Sequence, residues 1–238
     1  MIRLRRGLTA LLLLVYLAPL AGAGDFWLKK PYHNWSADET QRMLAESPWA
    51  TTLSLSGVQT DIAEGANGGG YRGEMETNPT ITYTLRFGSA RPIREAQVRS
   101  AQIGSHYDSM TAEQKAAFDA NANKFLAVAF PDRVVVTVTF HSDVQNFASV
   151  LRNYWTHQSL AKLSVTTYLH TKTDRLSLIG YSVKEDTFQL TFPRPKQLQP
   201  DDKLAVEFVH PRVNVIGEQR VFQQFSVKKM LVDGEPAF

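Results

Sequence analysis

From Lys162 to its end the chain keeps returning to short runs in which apolar and polar residues alternate with period two. Val165, Thr167 and Leu169 form one run. Leu176 and Leu178 form the next, after a Thr173-Asp174 turn, and Phe188, Leu190 and Phe192 follow Glu185-Asp186. Pro193, Pro195 and Pro200 mark a loop, after which Leu204, Val206 and Phe208 alternate, then Val221, Gln223, Phe225 and Val227; Asp233-Gly234 supplies a last turn. Period two puts successive side chains on opposite faces of a strand, so each run buries one face and wets the other. Short strands of this kind, spaced by turns, predict an antiparallel β-sandwich or a strongly curved sheet. Two segments of the first half agree. Thr80 to Phe87 sends Ile81, Tyr83, Leu85 and Phe87 one way and threonines with Arg86 the other, and Thr52 to Val58 reads as an earlier strand. Arg133 to Phe140 is apolar on both faces through Val134, Val135, Val136 and Val138, which predicts a central strand.

Helical signals sit between these strands and place the fold in the α+β class, with about four helices, mostly in the N-terminal half. Ser36-Ala-Asp-Glu39 is a capping box, so a helix should run from Ala37 to about Glu46 and stop before Pro48. Pro92 and Gly104 bracket a second helix, with Ile93, Ala96, Ser100 and Ile103 along one stripe. A Thr111-x-x-Gln114 box opens a third, whose Phe118, Ala122, Phe125, Leu126 and Ala129 share a face. The fourth should span about Val144 to Leu160 and carry Phe147, Val150, Leu151, Tyr154 and Trp155 on one broad face. Between Glu64 and Gly73 five glycines predict a flexible surface loop. A phosphate-binding loop is not indicated, because neither G-x-G-x-x-G in a strand-to-helix context nor a Gly-Lys-Ser/Thr ending is present.

The N-terminus predicts export. Arg3, Arg5 and Arg6 precede an apolar run from Leu8 to Leu20, and Ala21-Gly22-Ala23 supplies the small residues of a cleavage site. The run is shorter than the roughly 20 residues a membrane-spanning helix needs, so the mature protein is expected not to span a membrane. The chain has no cysteine, which excludes a lipidated N-terminal Cys and leaves an exported domain to hold together without disulfides. The formal charge of +3 is also an export feature: without residues 1–23 the 26 basic residues fall to 23, equal to the 23 acidic ones. A neutral mature chain gives no long-range attraction toward phosphate, so no nucleic-acid partner is expected. The reading is therefore a signal peptide over 1–23, a tryptophan-rich segment with a short helix over 24–50, and one β-rich domain with inserted helices over 51–238.

Residues 25–50 hold Trp27, Trp35 and Trp49, three of the four tryptophans, together with Tyr32. Tryptophan and tyrosine are common interface anchors, which makes these four the candidate ligand-binding residues; the same residues also suit a helix clamped onto the domain. The block Lys30-Pro31-Tyr32, Trp35-Ser36, Glu39, Leu44 and Ser47-Pro48-Trp49-Ala50 resembles the opening of a group of uncharacterised exported bacterial proteins. These begin K-P-Y-x-x-W-S and close the first helix with S-P-W-A. The resemblance covers about 25 residues; it implies export and a shared architecture, and no catalytic residue.

Reactive constellations are sparse. No two of the six histidines lie within a helical turn of each other, and His141-Ser142-Asp143 and His106-Tyr107-Asp108 are the nearest to a ligand pair. Ser142 and Asp143 suit the start of the following helix equally well. G-x-S-x-G is absent, and the two Ser-x-x-Lys matches, at Ser159 and Ser226, lack the S-D-N and K-T-G partners of that chemistry. Paired carboxylates of the glycosidase kind are readable only in space. Asn34-Trp35-Ser36 fits a glycosylation sequon, but its serine is needed as the helix cap.

No catalytic residue, metal or cofactor is thus indicated. The leading expectation is an exported, non-enzymatic domain that binds or scaffolds an envelope protein or small ligand. The alternative is a periplasmic hydrolase or metal-dependent enzyme using His141 and Asp143. A third possibility is a carrier with a pocket between helices and sheet.

Overall fold

A computed structural model describes residues 26–57 and 79–238. The expected signal peptide and the glycine-rich stretch lie outside the described residues. The N-terminal part carries α1 (Phe26–Lys29), a single 3-10 turn, and α2 (Ala37–Ala45). Next come β1 (Ala50–Ser56), β2 (Thr80–Phe87), α3 (Arg91–Gly104), α4 (Ala112–Ala127), β3 (Arg133–Ser142), α5 (Gln145–Thr156) and α6 (Leu160–Leu163). The rest is strand: β4 (Tyr168–His170), β5 (Arg175–Ser177), β6 (Gly180–Lys184), β7 (Thr187–Pro193), β8 (Lys203–His210), β9 (Gln219–Ser226) and the small hairpin β10 (Leu231–Val232) with β11 (Glu235–Pro236).

All pairings are antiparallel. Five strands form one sheet in the order β1-β2-β3-β7-β6, and four form a second in the order β5-β4-β8-β9. The expected inward residues of β2, Ile81, Tyr83, Leu85 and Phe87, are all fully buried, and β3 is the central strand of the larger sheet. The sheets meet through rings: Tyr83 against Phe208 at 5.3 Å, Phe87 against Phe225 at 4.9 Å, and Phe188 against Phe208 at 5.8 Å. From α5, Trp155 stacks on Phe188 at 4.1 Å, and the Tyr181 hydroxyl donates to the Trp155 carbonyl at 2.6 Å. The architecture is an α+β sandwich whose sheets are not closed on each other. Outside it, the solvent face of the larger sheet carries ranked hydroxyls, with Thr52 bonded to Thr84 at 3.2 Å and Thr139 to Thr187 at 3.1 Å.

Local signals were accurate at the starts of α2 and α4. Ser36 accepts from the Glu39 N–H and Glu39 returns a bond to the Ser36 N–H; Thr111 and Gln114 do the same. Four expectations need correction. The helix foreseen to Leu160 ends at Thr156, where the Asn153 carbonyl meets the His157 ring at 2.7 Å and its backbone N–H at 3.2 Å. A new short helix then starts at Ser159, which caps the Lys162 N–H. Val165 does not join a strand and is exposed, because the Thr166 and Thr167 N–H groups both fold back to the Leu163 carbonyl. The stripe on α4 does not reach the core: Ala122 is its one buried residue, and Phe125 is 42% exposed. That helix packs on α3 outside the sandwich, its last carbonyls held by the buried Arg94, which donates to Phe125, Leu126 and Val128 at 2.8–3.0 Å. On α3, likewise, Ser100 is exposed, while Pro92, Arg94, Val98 and Gln102 share the buried side with Ile93 and Ala96.

One polar pair is sealed between the sheets. The Tyr83 hydroxyl and His210 Nδ1 share a hydrogen bond at 2.8 Å, both residues have no exposed surface, and His210 Nε2 has no partner among the described residues. Burial pushes the Tyr83 phenol up and the His210 imidazole down to about 4.

Candidate functional site

Strand β8 alternates so that Leu204, Val206, Phe208 and His210 enter the core while Lys203, Ala205, Glu207 and Val209 point to the outer face of the smaller sheet. The register places Glu207 between Tyr168 of β4 and Phe222 of β9. An outward glutamate is normally wet. This one is only 3% exposed, because the long side chains of its neighbours close over it.

The Glu207 carboxylate is held from several sides. One oxygen bonds His170 Nε2. The other lies 3.2 Å from Arg220 Nη1 and 3.8 Å from Arg175 Nη2. The Arg175 guanidinium stacks over the Tyr168 ring at 3.5 Å, and the His170 ring lies 5.3 Å from Phe222. Burying a carboxylate costs several kcal/mol in lost hydration, which excellent geometry and further hydrogen bonds must offset. Here the desolvation falls mainly on Glu207, since the side chains of Arg175 and Arg220 remain 52% and 68% exposed. Two permanent cations face one anion, so the face keeps a net positive charge that is open to solvent.

His170 also lines a surface cavity of about 610 Å³, along with Lys172, Lys203, Asp201, Asp202 and Phe222. The cavity therefore has an oriented imidazole, two lysines matched by two aspartates, and an exposed aromatic edge. The hydroxyl of Thr171, next in the chain, is engaged in its own turn, accepting from the N–H groups of Thr173 and Asp174 at 3.2 and 2.8 Å. The arrangement can hold an anion by charge-assisted hydrogen bonds and can move a proton at His170. It presents no activated nucleophile.

Residues singled out from the sequence lie elsewhere. Trp35 and Trp49 are 1% and 0% exposed and sit in the same hydrophobic core as the sheets. Trp27 and Tyr32 are half-buried; Trp27 meets Trp49 edge-on at 6.0 Å, and Phe26 meets Trp27 and Trp35 at 5.2 and 5.4 Å. The structure thus brings the three tryptophans together as a packed cluster and places Tyr32 beside His33, at 5.5 Å. His141 is exposed, while Asp143 accepts from the Thr80 N–H at 2.8 Å. Neither Ser142 nor Asp143 caps α5: its cap position is Val144, whose N–H donates to Ser142 Oγ at 3.1 Å. His106 adopts a left-handed backbone conformation, φ 53°, ahead of the turn that contains Asp108. Among the described residues no group of three His, Asp or Glu side chains is placed to hold a metal ion.

No protein-family model matches the chain, and no curated protein matches it. A solved structure of a protein of unknown function from Burkholderia pseudomallei K96243 is similar at a TM-score of 0.37 and 14% identity, over 59% of this chain and 73% of the other. Among the described residues no helix is long and apolar enough to cross a membrane.

The cluster around Glu207 escaped the sequence reading because its members come from four strands. One signal was present: between Lys203 and His210 every position but Glu207 is apolar, so that glutamate is out of place on a strand of that kind.

Proposed function

We propose that this is an exported, non-enzymatic binding domain of the cell envelope, and that it recognises the carboxylate or phosphate group of a ligand on the outer face of its four-stranded sheet. The observation that carries the reading is the buried Glu207 ringed by Arg175, Arg220 and His170 beside the half-exposed Phe222. Glu207 orients the two guanidinium groups and leaves donors on each free for a second anion, while Phe222 and the Arg175–Tyr168 stack offer flat surface to the rest of the ligand. Neutrality of the mature chain supports local recognition rather than attraction at a distance.

The His170–Glu207 pair also favours a second reading, in which His170 acts as a general base on a substrate in the adjoining cavity. The absence of a free hydroxyl or a metal-ligand cluster beside it, among the described residues, makes binding the better reading.

Titration calorimetry with muropeptides carrying free carboxylates, against their methyl esters, tests the proposal. The free acids should bind and the esters should not, and Arg220→Gln or Arg175→Gln should each weaken binding about tenfold or more, with some loss of melting temperature because Glu207 keeps one cation fewer. The same variants assayed with organic phosphates distinguish the two anion classes. Equal binding of acids and esters, or full affinity in both arginine variants, refutes it. Turnover of such a ligand that is lost in His170→Gln establishes the enzymatic reading.

A further inference from the structure

A second surface, away from Glu207, joins apolar and basic groups where the described chain begins. Trp27, Leu28, Pro48, Lys228, Lys229 and Leu231 line a groove of about 540 Å³. Leu28 is 59% exposed, although it belongs to a helix whose Phe26 and Trp27 pack onto the core. Lys29 follows it, exposed and without an ion-pair partner among the described residues, as are Lys228 and Lys229. Lys30 is the exception, bonded to Glu39 at 2.6 Å. Glu46 is the one acid on the groove wall, and the two lysines there, Lys228 and Lys229, outnumber it.

The geometry points to this face as a docking surface for an anionic phospholipid bilayer. Charge complementarity is the first argument: clustered lysines near an acidic membrane surface attract it over about a Debye length. The second is the shape of the apolar part. One protruding leucine beside one half-buried tryptophan is far less than the roughly 800 Å² per partner of a stable protein interface, yet it suits shallow insertion among headgroups, where tryptophan is favoured. The third is position. Only residues 21–25 separate Phe26, which opens α1 next to this groove, from the apolar run Leu8–Leu20 that is expected to engage the membrane during export. The domain would then rest on the bilayer through Leu28, Trp27 and the lysines, without crossing it. This surface shares none of the residues that hold Glu207, so it stands or falls independently of the anion-binding reading.

Vesicle flotation tests it, using the protein as isolated from exporting cells. Phosphatidylcholine vesicles with about one third phosphatidylglycerol should carry the protein, pure phosphatidylcholine much less, and 0.5 M salt should release it. The double variant Lys228→Gln/Lys229→Gln should lower partitioning roughly thirtyfold. Leu28→Ser should lower it while leaving the melting temperature unchanged, since that side chain is mostly exposed. Trp27 is the one tryptophan of four that is not buried, so binding should shift the emission of Trp27 alone and Trp27→Phe should abolish the shift. Equal partitioning onto neutral and anionic vesicles overturns the proposal, as does an unchanged partition of the double-lysine variant. Displacement from vesicles by inorganic phosphate at millimolar concentration also overturns it, by showing a site for a small anion rather than for a lipid surface.

Discussion

Acid should loosen this protein through His210. The imidazole has no exposed surface, is bonded only to the Tyr83 hydroxyl at 2.8 Å, and has no partner for Nε2 among the described residues, so burial holds its pKa at about 4 against an ordinary 6.5. A base with a depressed folded pKa is protonated more readily in the unfolded chain. Stability from this group is therefore complete above about pH 6.5 and is lost as the pH falls toward 4. The loss is about 2 kcal/mol between pH 7 and pH 5, and about 3 kcal/mol by pH 4. For a domain of this size, 2 kcal/mol corresponds to a fall in melting temperature of roughly 4–8 °C. The assay is denaturant unfolding at pH 7 and pH 5 for the wild type and for His210→Gln, which does not titrate. Other groups contribute equally to both proteins, so the difference between their pH slopes isolates His210. Proton NMR of the histidine ring, assigned by its absence from the variant, gives the pKa directly. A His210 titration near 6.5, or equal pH slopes in the two proteins, refutes the reasoning.

Trp35→Ala should cost about 3–5 kcal/mol in denaturant unfolding, because the ring is 1% exposed and its removal leaves a cavity beneath α1; Trp27→Ala, half-buried at the rim, should cost clearly less. If the two are equal, the packing hierarchy of the cluster is wrong. Gly57→Ala should destabilise by about 1–3 kcal/mol, since a Cβ there would lie 2.7 Å from Val215 Cγ2 and 2.9 Å from the Val215 carbonyl; a neutral substitution would show that the 211–218 loop yields freely. Ser36→Ala should cost about 1 kcal/mol through loss of the cap on α2, and Ser36→Gly only a few tenths, both read from unfolding midpoints.

Legibility followed the range of the physics. The Ser36 and Thr111 boxes, the Asp233-Gly234 turn and the inward set of β2 are written within four to eight consecutive residues, and each is found in the structure as read. The failures occurred where one helix must choose a neighbour. The stripe that begins at Phe118 on α4 looks like a core face because periodicity records which residues share a side, not whether anything covers it. The tryptophans were equally ambiguous: the same residues suit an interface or a core, and their burial depends on α2, α3 and β1 converging on them.

By itself, then, the sequence determined the short amphipathic strands, the capped helices, the absence of disulfides and the neutral charge that remains once the N-terminal arginines are set aside. It also determined that β8 would carry one acid in an apolar strand. Only the tertiary structure decided that Glu207 would be buried on an outer face, because that follows from the register of β4 and β9 against β8. It likewise decided that His210, three residues along the same strand, would be sealed inside, where Tyr83 from the opposite sheet is its single partner. A local pattern can assign a side chain to a face, but pairings between distant strands decide what shares that face and how much water remains.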